Sequence, residues 1–393
     1  MPLMLRCGGQ LAVAAFAGLL LLGCNSLPEP QYPPNPLPQH TNQADLSSEW
    51  RDHSGFGDRW RGYDLQPALQ DNWLITGDAQ GRIQAFDLDD RRWPRGPRLL
   101  WQDQLDSGVS AGITLHQTQV FIPTQNGELI ARDLHSGETL WEVRLPSEAL
   151  SPAQILENRL VIQTADGKLT TLDATTGRTL WQYDSLVPLL TLRGTGTPTL
   201  SSTHVYAGFA NGRLVALDSR TGQVRWEAAV AQPSGRTDLE RLVDVDGQPL
   251  LHEGALYVTS YQGQTRALDA FTGRSRWDRD LSSYHSPLIH RQALIVVDEA
   301  SRIHALDMRS GASLWQQDAL FGRSLTAPVL LEDTLVVADF QGYIHLIDPT
   351  SGALLGRRGF DLDGIRATPV VDQDRLLVHS IRGRIGLFTL KKR

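Results

Sequence analysis

The sequence predicts an all-β protein, an eight-bladed β-propeller of four-stranded antiparallel blades, and three observations carry that prediction. A strand ending in Asp, a Thr-Gly or Ser-Gly turn and a Trp recur as a unit along the 393 residues. Inside each copy the apolar period is two, which excludes a helical solenoid. The last copy breaks off where a Trp-bearing segment near the start can complete it.

The copies run GRIQAFD (81–87), GELIARD (127–133), GKLTTLD (167–173), GRLVALD (212–218), GQTRALD (263–269), SRIHALD (301–307), GYIHLID (342–348) and GRIGLF (383–388). Trp141, Trp181, Trp226, Trp277 and Trp315 each stand eight residues after their Asp, whereas Trp101 follows the insertion DDRRWPRGPR, which carries Trp93. Gly356 stands where the seventh copy would place Trp. The Trp-to-Trp steps are 40, 40, 45, 51 and 38 residues, the length of a four-stranded blade. Short apolar runs such as GTPTLSS and SLTAPVL supply the remaining strand of a unit. Asn211-Gly212 and Asp166-Gly167 predict two-residue hairpins with positive φ at both central positions.

Within a copy, Asp173 is expected to accept backbone N–H bonds from the turn ATTG, with Thr176 assisting and Gly177 in the left-handed region. Trp181 then buries its face between blades, because one repeat cannot cover its own apolar surface. The same wedge role is expected of Trp50, Trp101, Trp141, Trp226, Trp277 and Trp315. Trp50, in SSEWRDHSG (47–55), is expected to complete the final blade and so remove the open edge of the ring. Lys391-Lys392-Arg393 reads as a solvated tail.

The chain divides into residues 1–23, 24–45 and 46–393. Arg6, the apolar run 11–23 and Cys24 read as a signal peptide too short to span a bilayer comfortably. Leu21-Leu22-Gly23-Cys24 resembles the lipobox of bacterial lipoproteins, which implies acylation of Cys24 and a membrane anchor. Asn25 and Ser26, rather than Asp, follow it, and in that resemblance this favours the outer membrane, facing the periplasm. Residues 25–45, with prolines at 28, 30, 33, 34, 36 and 38, read as an extended spacer, and residues 46–393 as the propeller. Only Cys7 and Cys24 occur, so the mature chain has no disulfide.

Net charge is −7, with no Lys/Arg-dense stripe, so nucleic acid is not an expected partner. Metal-protease, serine-hydrolase and phosphate-loop motifs are absent, and GFGDRW (55–60) lacks the third glycine of a dinucleotide loop. Asp244-Val245-Asp246-Gly247 and Asp361-Leu362-Asp363-Gly364 have a flavour of Ca²⁺ loops without the third carboxylate or closing Glu, and read as turns. His285 and His290 show no metal spacing. No catalytic residue, metal site or cofactor is expected.

Function is expected where the spacing stretches. The two longest Trp steps carry YDSLVPLLTLRGTGTP (183–198) and VAQPSGRTDLERLVDVDGQP (230–249), on neighbouring blades. The first is apolar around Arg193, and the second holds Asp238, Glu240, Asp244 and Asp246 around Arg241. Together they compose a protein-binding patch of apolar anchors and charged selectors. The competing reading packs Leu190 and Leu192 onto the ring and uses the acids as turn caps.

The pattern A-L-D-x-x-T-G-x-x-x-W resembles the tryptophan-docking repeat of pyrroloquinoline-quinone enzymes, which makes a quinoprotein dehydrogenase one alternative and a periplasmic ligand-binding lipoprotein another. The insertions that build the quinone and Ca²⁺ site in those enzymes are missing here. The lipobox, spacer, eight minimal blades, LTLRG and DLERLVDVDG are together similar to the BamB family, lipoproteins of the outer-membrane β-barrel assembly (BAM) machinery. That resemblance implies a non-catalytic scaffold, anchored in the membrane through Cys24, which binds the POTRA domains of BamA through Leu190, Leu192, Arg193, Asp244 and Asp246. It also implies other assembly-complex subunits as partners and assistance to unfolded outer-membrane proteins, by strand addition at blade edges.

Overall fold

The computed structural model describes residues 31–55, 64–89, 96–186, 188, 191, 195–233, 236–237 and 241–392. Cys24 and Trp93 lie outside them. Residues from Pro34 onward form one compact unit. Its regular elements are strands in eight four-stranded antiparallel sheets. Seven sheets use consecutive strands, as in blade 1 with Ala68–Gln70, Trp73–Gly77, Arg82–Asp87 and Arg98–Gln104. Blade 8 takes its first three strands from Val370–Asp372, Arg375–His379 and Arg384–Lys392, and its fourth from Ala44–His53.

This closure is the one expected of Trp50. Its ring centroid lies 5.4 Å from that of Phe86 in blade 1, so the two ends of the chain meet within one sheet and dock on the first blade. The third strand of blade 8 runs to Lys392, with Asp45 opposite Lys391 and Ala44 opposite Lys392. Lys391 and Lys392 are therefore strand residues rather than a free tail, because the partner strand is ten residues long and pairs them.

In each blade the second and third strands are buried on both faces. Arg159–Gln163 and Lys168–Asp173 of blade 3 place Leu160, Val161, Ile162, Leu169 and Leu172 at 2% exposure or less. Neighbouring blades cover both faces, so the expected in-out alternation weakens to a continuous apolar run. Six seams repeat one device: Trp101, Trp141, Trp181, Trp226, Trp277 and Trp315 each donate from Nε1 to a main-chain carbonyl of the next blade at 2.7–3.2 Å. Each indole also packs closely against the turn glycine of that blade. At Gly222 φ is +69°, and an added Cβ would sit 2.6 Å from the Trp181 ring, so both the turn and the seam require glycine. The residue before Trp is a bulge: Thr171 pairs Trp181 and Leu172 pairs Thr179, which leaves Leu180 unpaired and half-exposed.

The Asp lock forms as predicted. Asp173 Oδ1 accepts the N–H groups of Thr175 and Thr176 and the Thr176 hydroxyl at 2.9–3.1 Å. The Asn-Gly and Asp-Gly pairs differ from expectation. Gly212 and Gly167 take positive φ but Asn211 and Asp166 do not. Phe209 N donates to Arg213 O and Gly212 N to Phe209 O, a three-residue loop with a glycine bulge. True two-residue connections instead join first and second strands, as where Leu156 pairs Arg159 and Glu157 adopts φ 57°.

The turns between second and third strands share a face with the connections that lead from a fourth strand to the next blade. Leu145 N donates to Gly127 O, Val230 N to Gly212 O and Phe360 N to Gly342 O. We call this the connection face; turns between third and fourth strands lie on the other.

Candidate partner-binding site

The two long segments are connections on that face, between blades 3 and 4 and between blades 4 and 5. Leu190, Leu192 and Arg193 lie outside the described residues, as do Asp238 and Glu240. Asp244 and Asp246 are described. The surrounding residues show how the segments meet: Gln163, Leu186, Thr191, Thr195, Phe209 and Asp244 are among those lining a cavity of about 20 Å³. Asn211 Nδ2 donates to Ser185 Oγ (3.2 Å) and Leu186 O (3.0 Å), which pins the start of the first segment. Leu186 itself is 88% exposed.

Asp244 stands in the column of Gly108, Glu148 and Gly364, whose carbonyls accept the N–H of the turn residues Gln125, Ala165 and Ile381. It makes an isolated antiparallel bridge to Tyr261, whose N–H donates to Asp244 O at 2.8 Å. The next residue, Val245, stands in the column of Val109, Ala149 and Ile365, which bridge to Thr124, Thr164 and Ser380. Asp244 is 1% exposed, and beside it Val245 is fully buried. Two glycines make room for Val245: a Cβ on Gly208 would lie 2.4 Å from its Cγ1, and one on Gly196 2.8 Å from its carbonyl oxygen.

A carboxylate so buried is uncomfortable. Asp244 Oδ1 accepts the Val245 N–H at 2.8 Å, but Asp244 Oδ2 and Asp246 Oδ1 are buried without a hydrogen-bond partner among the described residues. Burial, and then the charge of Asp246, raise the Asp244 carboxyl well above the carboxylate range; burial raises Asp246 against a hydrogen bond from Asp244. The pair therefore holds a proton near neutral pH. Asp244 is therefore not a solvent-facing turn cap: its carboxylate is buried beside the core residue Val245.

Sequence reasoning passed over Leu186, Gly196 and Gly208. Aligning the residues before each first strand places Val245 in the column of Val109, Ala149 and Ile365, and Asp244 in that of Gly108, Glu148 and Gly364, so the burial of Asp244 has no counterpart in the sequence pattern. His290 Nε2 pairs with Asp333 at 2.7 Å, while the His285 ring is buried with Nε2 unpartnered. Among the described residues no three His, Cys, Asp or Glu side chains converge to hold a metal ion.

The chain matches a family model described as outer membrane protein assembly factor BamB over residues 79–317. It is 42% identical to the BamB of Pseudomonas aeruginosa over 273 residues, 70% of each chain. It is 32% identical to the BamB of Escherichia coli K12 over 279 residues, again 70% of each. The crystal structure of BamB from Moraxella catarrhalis superposes with a TM-score of 0.78 at 28% identity, covering 88% of this chain and 100% of that one. A europium-containing methanol dehydrogenase superposes with a TM-score of 0.71 at 13% identity over 88% of this chain and 93% of its own, a likeness of fold alone. The family match and the relatives place the chain in the BamB family of outer-membrane protein assembly factors, which are not enzymes.

Proposed function

We propose that this chain is a scaffold lipoprotein of the outer-membrane assembly machinery, held on the periplasmic face of the outer membrane by acyl groups on Cys24. Its connection-face segments bind the POTRA domains of BamA, with Leu190 and Leu192 as apolar anchors, Arg193 as a cationic selector and Asp244 and Asp246 as an anionic receptor. Other assembly-complex subunits and unfolded barrel precursors are its further partners. The observation that supports this reading is the burial of Asp244 Oδ2 and Asp246 Oδ1, neither with a hydrogen-bond partner among the described residues. A fold gains nothing from such a placement, whereas a partner that brings a guanidinium or ammonium group does.

The blade edges support the assisting role. Each fourth strand is outermost in its sheet, and Leu99, Leu140, Leu180, Val224 and Leu314 on these strands are 38–55% exposed. An extended precursor segment adds to such an edge through main-chain hydrogen bonds and covers those side chains. Copurification of wild type, Arg193→Ala and Asp246→Ala with BamA tests the site. Loss of the partner in both variants is the expected result, and undiminished recovery in both removes the assignment.

A further inference from the structure

Blade 7 departs from its neighbours twice. Gly356 replaces the docking Trp, and the connection into the blade buries Arg323 to 2% exposure. The guanidinium is held by the ring: Nε donates to Asp339 Oδ2 (2.7 Å) and Nη2 to Gln341 Oε1 (2.6 Å). Asp339, fully buried, also accepts from His345 Nε2 (2.9 Å) and from the N–H groups of Gln341 and Tyr343 (3.0 Å each). Blade 6 repeats the Asp–His pair as Asp298 and His304, but its cation, Arg302, comes from within the hairpin and is 39% exposed. The fold therefore does not demand a buried arginine at this place.

Arg323 has one more donor, and it reaches the main chain ahead of the ring: Nη1 donates to Asn35 O at 3.2 Å. Asn35 N donates to Phe321 O (2.9 Å) and its Nδ2 to Asp318 O (3.1 Å). Further along, Arg357 Nη1 donates to Pro38 O (3.0 Å), and Asn42 exchanges bonds with the Arg357 main chain in both directions (3.3 Å each). Gln43 N then donates to Leu355 O at 2.7 Å. A Cβ at Gly356 would lie 2.2 Å from Ala44 O, so glycine there leaves room for this crossing chain. Pro34, Pro36 and Pro38 suit an extended partner that offers carbonyls and needs few donors.

We propose that the outer edge of blade 7, latched by Arg323, is a binding site for an extended proline-rich peptide, occupied by residues 35–43 of the same chain. The docked arm carries the chain from Ala44, beside the turns between third and fourth strands, across to the connection face at Phe321. The consequence for the tether rests on the Cys24 anchor. From Cys24 to Ala44 a fully extended chain would reach roughly 60 Å, but with the arm docked only the ten residues 25–34 separate the anchor from the ring, a reach of at most roughly 30 Å at about 3.1 Å per residue. The tether then starts on the face that carries Asp244 and Asp246.

Hydrogen exchange on the full lipidated chain tests the docking. Arm amides of residues 35 and 43 should exchange as slowly as ring strands in wild type. In Asn35→Pro, which removes two donors without touching the ring, the residue 43 amide should exchange about tenfold faster or more while blade 7 keeps its protection. Arg323→Gln should do the same where it folds. Arm amides at free-peptide rates in wild type overturn the proposal. Energy transfer from dyes on Leu362→Cys, on the connection face, and Phe271→Cys, on the other, to a lipid acceptor in phosphatidylethanolamine–phosphatidylglycerol vesicles tests the tether's origin. Stronger transfer from 362, lost in Asn35→Pro, is expected; equal transfer in wild type overturns the placement. A chain that fails to bind vesicles breaks the anchor reading, and exchange still decides the docking.

Discussion

Asp244-Val245-Asp246-Gly247 and Asp361-Leu362-Asp363-Gly364 read almost alike, and each leads into the first strand of a blade, yet they fold in opposite senses. In the first, the leading Asp forms the bridge to the second strand. In the second, the bridge is made by Ile365, after the glycine. That offset buries Val245 completely and leaves Leu362 90% exposed. It also decides the charges. Asp363 meets Arg382 Nε at 2.9 Å and Asp361 lies 4.0 Å from Arg384, whereas Asp244 and Asp246 face each other. Register against the sheet, rather than motif, leaves one pair of carboxyls buried side by side and gives each carboxylate of the other loop an arginine neighbour.

Substitutions can break this contrast. Val245→Ser should cost about 1.5–3 kcal/mol by thermal or denaturant unfolding, the burial of a core side chain. Asp244→Asn should act in the other direction. Its carboxyl is raised in the folded state, so the unfolded chain releases its proton first, and stability falls as pH climbs from the ordinary carboxylate range through neutral. The variant should gain on the order of 2 kcal/mol above neutral pH and nothing near pH 4, while losing BamA. A pH-independent difference would refute the strained pair. Asp363→Asn removes a partly exposed ion pair with Arg382 and should cost about 0.2–1 kcal/mol, less in high salt. Leu362→Ser should change stability by no more than about 0.5 kcal/mol and leave copurification intact. A large loss of binding there would mean that the second loop is also an interface.

Much of the ring was legible because each repeat states its own needs. The Asp lock around Asp173, the indole of Trp181 and the closing role of Trp50 each rest on a residue whose chemistry has few other uses at that spacing. The bulge at Leu180 was not legible, since it follows from the angle at which the next indole must enter the seam. The hairpins at Asn211 and Asp166 were misread because a glycine after Asn or Asp serves both a two-residue turn and a bulged three-residue one, and strand register selects between them. Leu190, Leu192 and Arg193 were singled out from segment length and resemblance, and their chemistry is carried by the binding experiment.

By itself the sequence determined the number of blades, their order, the seams and the place where the ring closes, because these depend on periodic local signals. Only the tertiary structure decided that Asp244 is buried beside Asp246 and that residues 35–43 lie along blade 7. Both outcomes depend on which main-chain groups come opposite one another across distant parts of the chain: Tyr261 against Asp244, and Arg323 against Asn35. Such pairings carry no periodicity, so nothing local in the chain announces them.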